Sequence, residues 1–236
     1  MKLACSSTAF DELLRSGELT QLEWLDLCAH ELAADGAVFD VRHFPRTDTD
    51  YLAQVKKMAA DCGLTVAALR HDGFFSADRA HMEQTFEIAL AIGAPLLSTP
   101  LPLQTQAGWD AVLETLGEAC SLAKRHNVTL AVRNAPHTFA ASMHDLKRVA
   151  KEADSAWLRY GPELGAFDAS DDPKGALAKM VLAWEPLAPA RLESAGLLAG
   201  FHGFVALDSA AGEARPEEAK NALRAWRNAF SEADRT

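Results

Sequence analysis

The side chains able to do chemistry in this chain are not spread evenly. Most follow directly on short apolar runs: Asp40, Arg42 and His43 after one, Arg70, His71 and Asp72 after the next, then Arg133 and Asn134, Asp168, Trp184 and Glu185, and finally Asp208. In such a set a carboxylate can move a proton, an arginine can stabilise an oxyanion, and a histidine can act as acid or base near neutral pH. His137 also follows the fifth run, whereas His30, His81, His126 and His144 fall on or beside helical stretches and His202 precedes a strand, so these five read as surface or structural. Taken singly, Arg42, Arg70 and Asp72 read as solvated loop charges. Arg133, Asp168 and Asp208 each end an apolar run directly and are the stronger candidates.

Familiar catalytic motifs are incomplete or absent. His30-Glu31 begins like a zinc-protease helix, but the second histidine would fall at position 34, which is Ala34. No Gly-x-Ser-x-Gly turn offers a strained serine nucleophile. The cysteines, Cys5, Cys28, Cys62 and Cys120, form no Cys-x-x-Cys pair and read as reduced thiols.

The elements that must position these groups are marked by punctuation. Gly36, Gly63, Gly93 and Asn127 each follow a helical stretch and precede Ala37–Val41, Leu64–Leu69, Ala94–Thr99 and Val128–Val132, the pattern of a helix C-cap leading into a strand. These runs are apolar at successive positions, as in strands of a parallel sheet buried on both faces. The helices carry start signals, such as the capping box of Thr20 with Glu23 and Pro216 ahead of Glu217 and Glu218. With Leu3–Cys5, Leu164–Phe167, Met180–Ala183 and Phe204–Leu207 the tally reaches eight strands, and 236 residues over eight units is about 30 each, the size of the βα units of a compact (β/α)8 barrel. The spacing therefore predicts one α/β domain over residues 1–236, a single TIM barrel. An open doubly wound sheet is the competing topology, but its first turn would be Cys5-Ser6-Ser7-Thr8-Ala9, which lacks the glycines of a phosphate loop.

The net charge of −10 repels phosphate backbones and anionic lipid, and there is no basic patch to override it. The N-terminus lacks the apolar core of a signal peptide and no run approaches a membrane span. A cytoplasmic protein is expected, with neither nucleic acid nor membrane as partner and with self-association left open.

Asp35–Pro45 (DGAVFDVRHFP), Cys62–Val66 (CGLTV), Gly93–Pro95 and Val128–Asn134 (VTLAVRN), in that order and at that spacing, resemble the xylose isomerase-like barrel superfamily of sugar isomerases, sugar epimerases and endonuclease IV. The resemblance implies a divalent metal at the barrel mouth, held by two glutamates, an aspartate and a histidine, which binds adjacent sugar oxygens while carboxylates move the proton. On this sequence the pattern breaks. Arg133 stands where the first glutamate is expected, the aspartate is kept as Asp168, the last glutamate is shortened to Asp208, and Met180–Glu185 offers no histidine. An endonuclease needs a histidine-rich multi-metal cluster and a basic groove, and the acidic sequence supplies neither.

The expectation is thus a sugar isomerase- or epimerase-like protein that binds a small polyhydroxylated ligand at the C-terminal mouth with a remodelled or lost metal site. The alternative is a non-catalytic carbohydrate-binding or regulatory barrel. In the enzyme reading Asp168 and Asp208 transfer protons, Arg133 is the electrophile and His137 an acid or base, while His71, Asn134, Glu185 and His43 bind substrate. No cofactor is expected. The rescue alternative is a Mn, Mg, Co or Zn ion on Asp168, Glu185, Asp208 and His71, with Arg133 turned away. Without metal, Arg133 is expected to pair with Asp168 or Asp208.

Overall fold

The computed structural model describes residues 1–167, 178–198, 200–209 and 211–233. Strands and helices alternate: β1 Lys2–Ser6, α1 Asp11–Ser16, α2 Gln21–Asp26, β2 Gly36–Asp40, α3 Thr49–Asp61, β3 Thr65–Arg70, α4 Arg79–Ile92, β4 Leu96–Pro100, α5 Trp109–His126, β5 Thr129–Arg133, α6 Met143–Ala153, β6 Leu158–Tyr160, β7 Leu182–Pro186, β8 Phe204–Asp208 and α7 Pro216–Ala233. The strands run parallel in the order β6-β5-β4-β3-β2-β1-β8-β7. Val181 N–H donates to Tyr160 O at 3.0 Å and Trp184 N–H to Pro162 O at 2.8 Å, which brings the two outer strands together and closes the sheet into a (β/α)8 barrel, as the sequence predicts.

The two-sided burial of the strands has a simple basis. One face of the sheet fills the barrel interior with Ala4, Val38, Ala67, Ala68, Leu182, Trp184 and Ala206, mostly small side chains around one large one, and the other packs under the helices. At the base, a Cβ on Gly36 would meet Thr65 O at 2.6 Å and the Phe204 ring at 2.7 Å, so only glycine lets β2 approach its neighbours there. Gly63, Gly93 and Asn127 have φ of +71°, +80° and +55°, the left-handed turn that ends a helix and redirects the chain into the next strand. No helix among the described residues is long and apolar enough to cross a membrane.

Two strands differ from expectation. The sixth is Leu158–Tyr160, while Leu164–Ala166, expected as that strand, is a 3-10 turn. Gly161-Pro162 separates them, and Pro162 has no N–H to extend the ladder. The seventh is Leu182–Pro186 rather than Met180–Ala183, so Trp184 and Glu185 lie within the strand instead of following it.

Candidate functional site

The C-terminal ends of β3, β5 and β8 bring Arg70, Arg133 and Asp208 to one mouth, where a cleft of about 210 Å³ is lined by these three with Asn134, Glu163 and Trp184 among others. Trp184 forms its floor. Fully buried on the inner face of β7, its indole N–H donates to Ser98 Oγ at 3.2 Å, and the guanidinium carbons of Arg70 and Arg133 stand 5.4 and 5.3 Å from its ring centre, within cation–π range.

Arg70 organises the charges. Its Nη1 donates to Asp208 Oδ2 at 2.5 Å and to Thr8 Oγ1 at 3.0 Å. Its Nε and Nη2 form a fork on Asp72 at 3.0 and 2.6 Å, and its Nε lies 3.7 Å from Asp40 Oδ2. Thr8 in turn donates to Asp208 Oδ1 at 2.5 Å and takes a hydrogen bond of 2.5 Å from Ser6 Oγ, so its one proton and both lone pairs are used. Burial alone lowers the Arg70 pKa, but Asp72, Asp208 and Asp40 outweigh it and hold it above its ordinary value.

Arg133 sits beside this network. Its Nη2 donates to Asp72 Oδ1 at 2.8 Å, not to Asp208, which is taken by Arg70, Thr8 and the Ser209 N–H. The expected pairing with Asp208 is therefore corrected: barrel curvature sets Asp72, on the loop after β3, between the two arginines. Asp168, the other expected partner, lies outside the described residues. Burial and then the neighbouring Arg70 charge lower the Arg133 pKa. Burial raises the Asp72 carboxyl, yet the Arg70 hydrogen bonds and the Arg133 charge prevail and hold it below its ordinary value. The reading of Arg70 as a solvated loop charge fails on these contacts, since its side chain is only 11% exposed, whereas Asp72 is a loop charge that stays 42% exposed while it binds both arginines.

The remaining predicted residues divide. Asn134 is buried and ties the end of β6 to β5: its Nδ2 donates to Glu163 O at 3.0 Å and its Oδ1 accepts from Glu163 N at 2.7 Å. It positions Glu163, which borders the cleft and precedes the run Leu164–Phe167 expected as the sixth strand, so the sequence does not mark it as a strand ending. Replacing Asn134 with Leu is expected to cost about 2 kcal/mol, since two partly buried backbone groups lose their partners; urea denaturation checks this, and a loss below about 0.5 kcal/mol would show that the tie is dispensable.

Glu185 is buried in β7 next to Trp184 and is among the residues that line the cleft. His43 is buried with both ring nitrogens engaged, Nδ1 with Ser7 Oγ at 2.8 Å and Nε2 with Asp11 Oδ1 at 2.9 Å, so it braces the β1 and β2 loops away from the cleft. His137 is exposed on the β5–α6 loop with φ of +63°, and its carbonyl accepts from Gln104 N–H at 2.9 Å.

His71 turns from the mouth toward α4. Its Nδ1 lies 3.1 Å from Thr85 Oγ1, and its ring meets Phe74 edge-on. Thr85 donates its own proton to His81 O, so His71 is the donor to Thr85. Burial lowers the His71 pKa from its ordinary 6.5. The unfolded chain then takes up the proton first as pH falls, so the contribution to stability is complete above about pH 6.5 and is lost below it. His71→Asn keeps a donor without titrating. The fall in urea midpoint between about pH 7 and pH 5.5 should be smaller in this variant than in wild type, and equal falls would contradict the assignment.

A parallel eight-stranded barrel with polar groups gathered at its C-terminal mouth is the architecture of a large class of enzymes and binding proteins. Within that class the chain belongs to the xylose isomerase-like TIM barrel family, whose profile matches residues 28–180. No curated protein matches it. Among solved structures it is similar to an L-ribulose 3-epimerase, at 14% identity with a TM-score of 0.79, covering 99% of this chain and 96% of that one. It is also similar to the D-psicose 3-epimerase of Clostridium cellulolyticum H10 solved with D-tagatose, at 13% identity with a TM-score of 0.76 and coverage of 98% and 99%. A xylose isomerase-like TIM barrel/4-hydroxyphenylpyruvate dioxygenase fusion protein is matched at 16% identity with a TM-score of 0.73 over 95% of this chain, which spans 42% of that longer protein. At these identities the likeness is one of fold.

Proposed function

We propose that this barrel, one domain acting in the cytoplasm, binds a small polyhydroxylated, sugar-like molecule at its C-terminal mouth, with the guanidinium of Arg133 in place of the divalent cation that the family resemblance implies. The observation that carries this reading is the position of Arg133: it ends β5, lines the cleft, stands over Trp184 and spends one hydrogen bond on Asp72. Its remaining N–H groups are donors for ligand hydroxyl or carbonyl oxygens. The epimerases named above support a sugar as the ligand class. A cleft of about 210 Å³, under the roughly 300 Å³ at which drug-sized sites begin, suits a molecule no larger than a monosaccharide.

The described residues do not fit the implied metal. Asp208 spends both oxygens on Arg70, Thr8 and Ser209, and two guanidinium groups face the same space. A unit charge about 4 Å from a divalent ion is repelled by roughly 8 kcal/mol at an effective dielectric of 20. In an enzyme, Arg133 would stabilise the oxyanion formed when a proton leaves the carbon next to a carbonyl, Asp208 and Asp168 would transfer that proton, and His137 would act from the rim. The full engagement of Asp208 favours the second reading, a carbohydrate-binding or regulatory barrel without turnover.

Thermal-shift titration with D-fructose, D-psicose and D-tagatose in the presence of a chelator tests the proposal. At least one sugar should raise Tm for wild type and leave Arg133→Met unmoved. An equal rise in both proteins, or none in wild type, would count against the site.

A further inference from the structure

We infer that Asp26, His30 and Cys62 form a zinc-binding site on the face of the barrel opposite the mouth. The inference is independent of the function proposed above. One donor atom from each of the three lies within 4.8 Å of the others. Asp26 ends α2, His30 sits in the π turn Leu27–Glu31 that continues it, and Cys62 caps α3. Both segments lead into the N-terminal ends of strands, β2 and β3, so the cluster and the mouth lie at opposite ends of the barrel.

An exposed Asp–His pair four residues apart, here 3.0 Å between Asp26 Oδ1 and His30 Nδ1, is by itself an ordinary helix-surface contact. What it does not require is a thiol delivered to the same point from another helix. The backbone fixes that delivery: Leu32 N–H closes the π turn on Leu27 O at 3.0 Å, and Cys62 N–H is held by Met58 O at 3.0 Å. Carboxylate, imidazole and thiolate together form a borderline-soft donor set that suits zinc over magnesium or calcium. Zinc bonds of about 2.0–2.3 Å place tetrahedral ligands about 3.5 Å apart, a closure that side-chain rotation of half-buried and exposed groups can supply. Three protein ligands leave the fourth position to water. The thiol gives up its proton to solvent when the ion binds, and Asp61, beside Cys62 in sequence and paired with Lys57, adds negative charge nearby. The bound ion would clip the turn after α2 to the end of α3. The His30-Glu31 pair thus finds its metal partners behind it and across the helix layer, not at Ala34.

Cobalt(II), with zinc's ligand preferences and an optical signature for thiolate ligation, is the probe. The whole chain, kept reduced, should develop a thiolate-to-cobalt absorption band that saturates at one equivalent and that zinc displaces. Cys62→Ser should abolish the band, His30→Gln should weaken cobalt binding at least about tenfold by loss of a ligand, and Asp208→Asn should leave it unchanged. Zinc should raise Tm by a few degrees in wild type and not in Cys62→Ser. A band that survives in Cys62→Ser, the absence of any band in folded wild type, or one lost only in Asp208→Asn would overturn the assignment.

Discussion

Replacing Arg70 with methionine is expected to destabilise the barrel by about 3–5 kcal/mol, the cost of breaking a buried ion pair from one side. The side chain is 11% exposed and holds Asp208 and Asp72 directly, with Asp40 at 3.7 Å. Methionine fills similar space, so the loss falls on the carboxylates. Asp72 would keep Arg133, and Asp40 would keep Arg42 at 3.0 Å, which leaves Asp208 as the main uncompensated charge. Arg70→Lys should recover only part of the loss, because an ammonium cannot make the fork on Asp72 while reaching Thr8 and Asp208. The penalty should shrink as pH falls toward 4, where protonation neutralises the stranded acid in the variant. Urea denaturation at neutral and acidic pH reads both effects; a neutral-pH loss below about 1 kcal/mol would show that the network contributes little.

Arg133→Glu is expected to be comparably damaging without metal, by about 3–5 kcal/mol. It deletes a cation and places a fourth acid beside Asp72, Asp208 and Glu163, with Arg70 the remaining cation of that group. Arg133→Ala should be milder. Asp72 keeps its two bonds to Arg70, and removing Arg133 relieves the repulsion between the guanidinium groups that helps lower its own pKa. The order wild type, Arg133→Ala, Arg133→Glu in falling urea midpoint is the expected result, and Arg133→Ala as the least stable of the three would show that Asp72 depends on Arg133 rather than on Arg70.

The barrel was legible where the sequence carries local signals. Gly63, Gly93 and Asn127 mark helix ends because the chain there must enter the left-handed region, and their positive φ values agree. β6 carried no such signal. It has only three residues, includes the polar Arg159, and owes its place to pairing with β5 and to the bridge between Tyr160 and Met180. Glu163 escaped notice for the same reason. At the mouth, the residue types could be read from strand endings, but their pairings could not: Arg133 meets Asp72 across 61 positions and Arg70 meets Asp208 across 138. The first distance is bridged when β3 and β5 both pair with β4, the second only when β8 joins β1.

The central claim, that Arg133 takes the place of a metal ion at the mouth, is tested most directly by the response of melting temperature to Mn²⁺ in wild type and Arg133→Glu. Both proteins should carry Cys62→Ser so that the outer cluster is silent. Mn²⁺ should raise Tm of Arg133→Glu more than that of the Arg133 protein, because the substitution removes one of the two guanidinium groups and adds a carboxylate beside Glu163 and Asp72. An equal rise in both would contradict the claim.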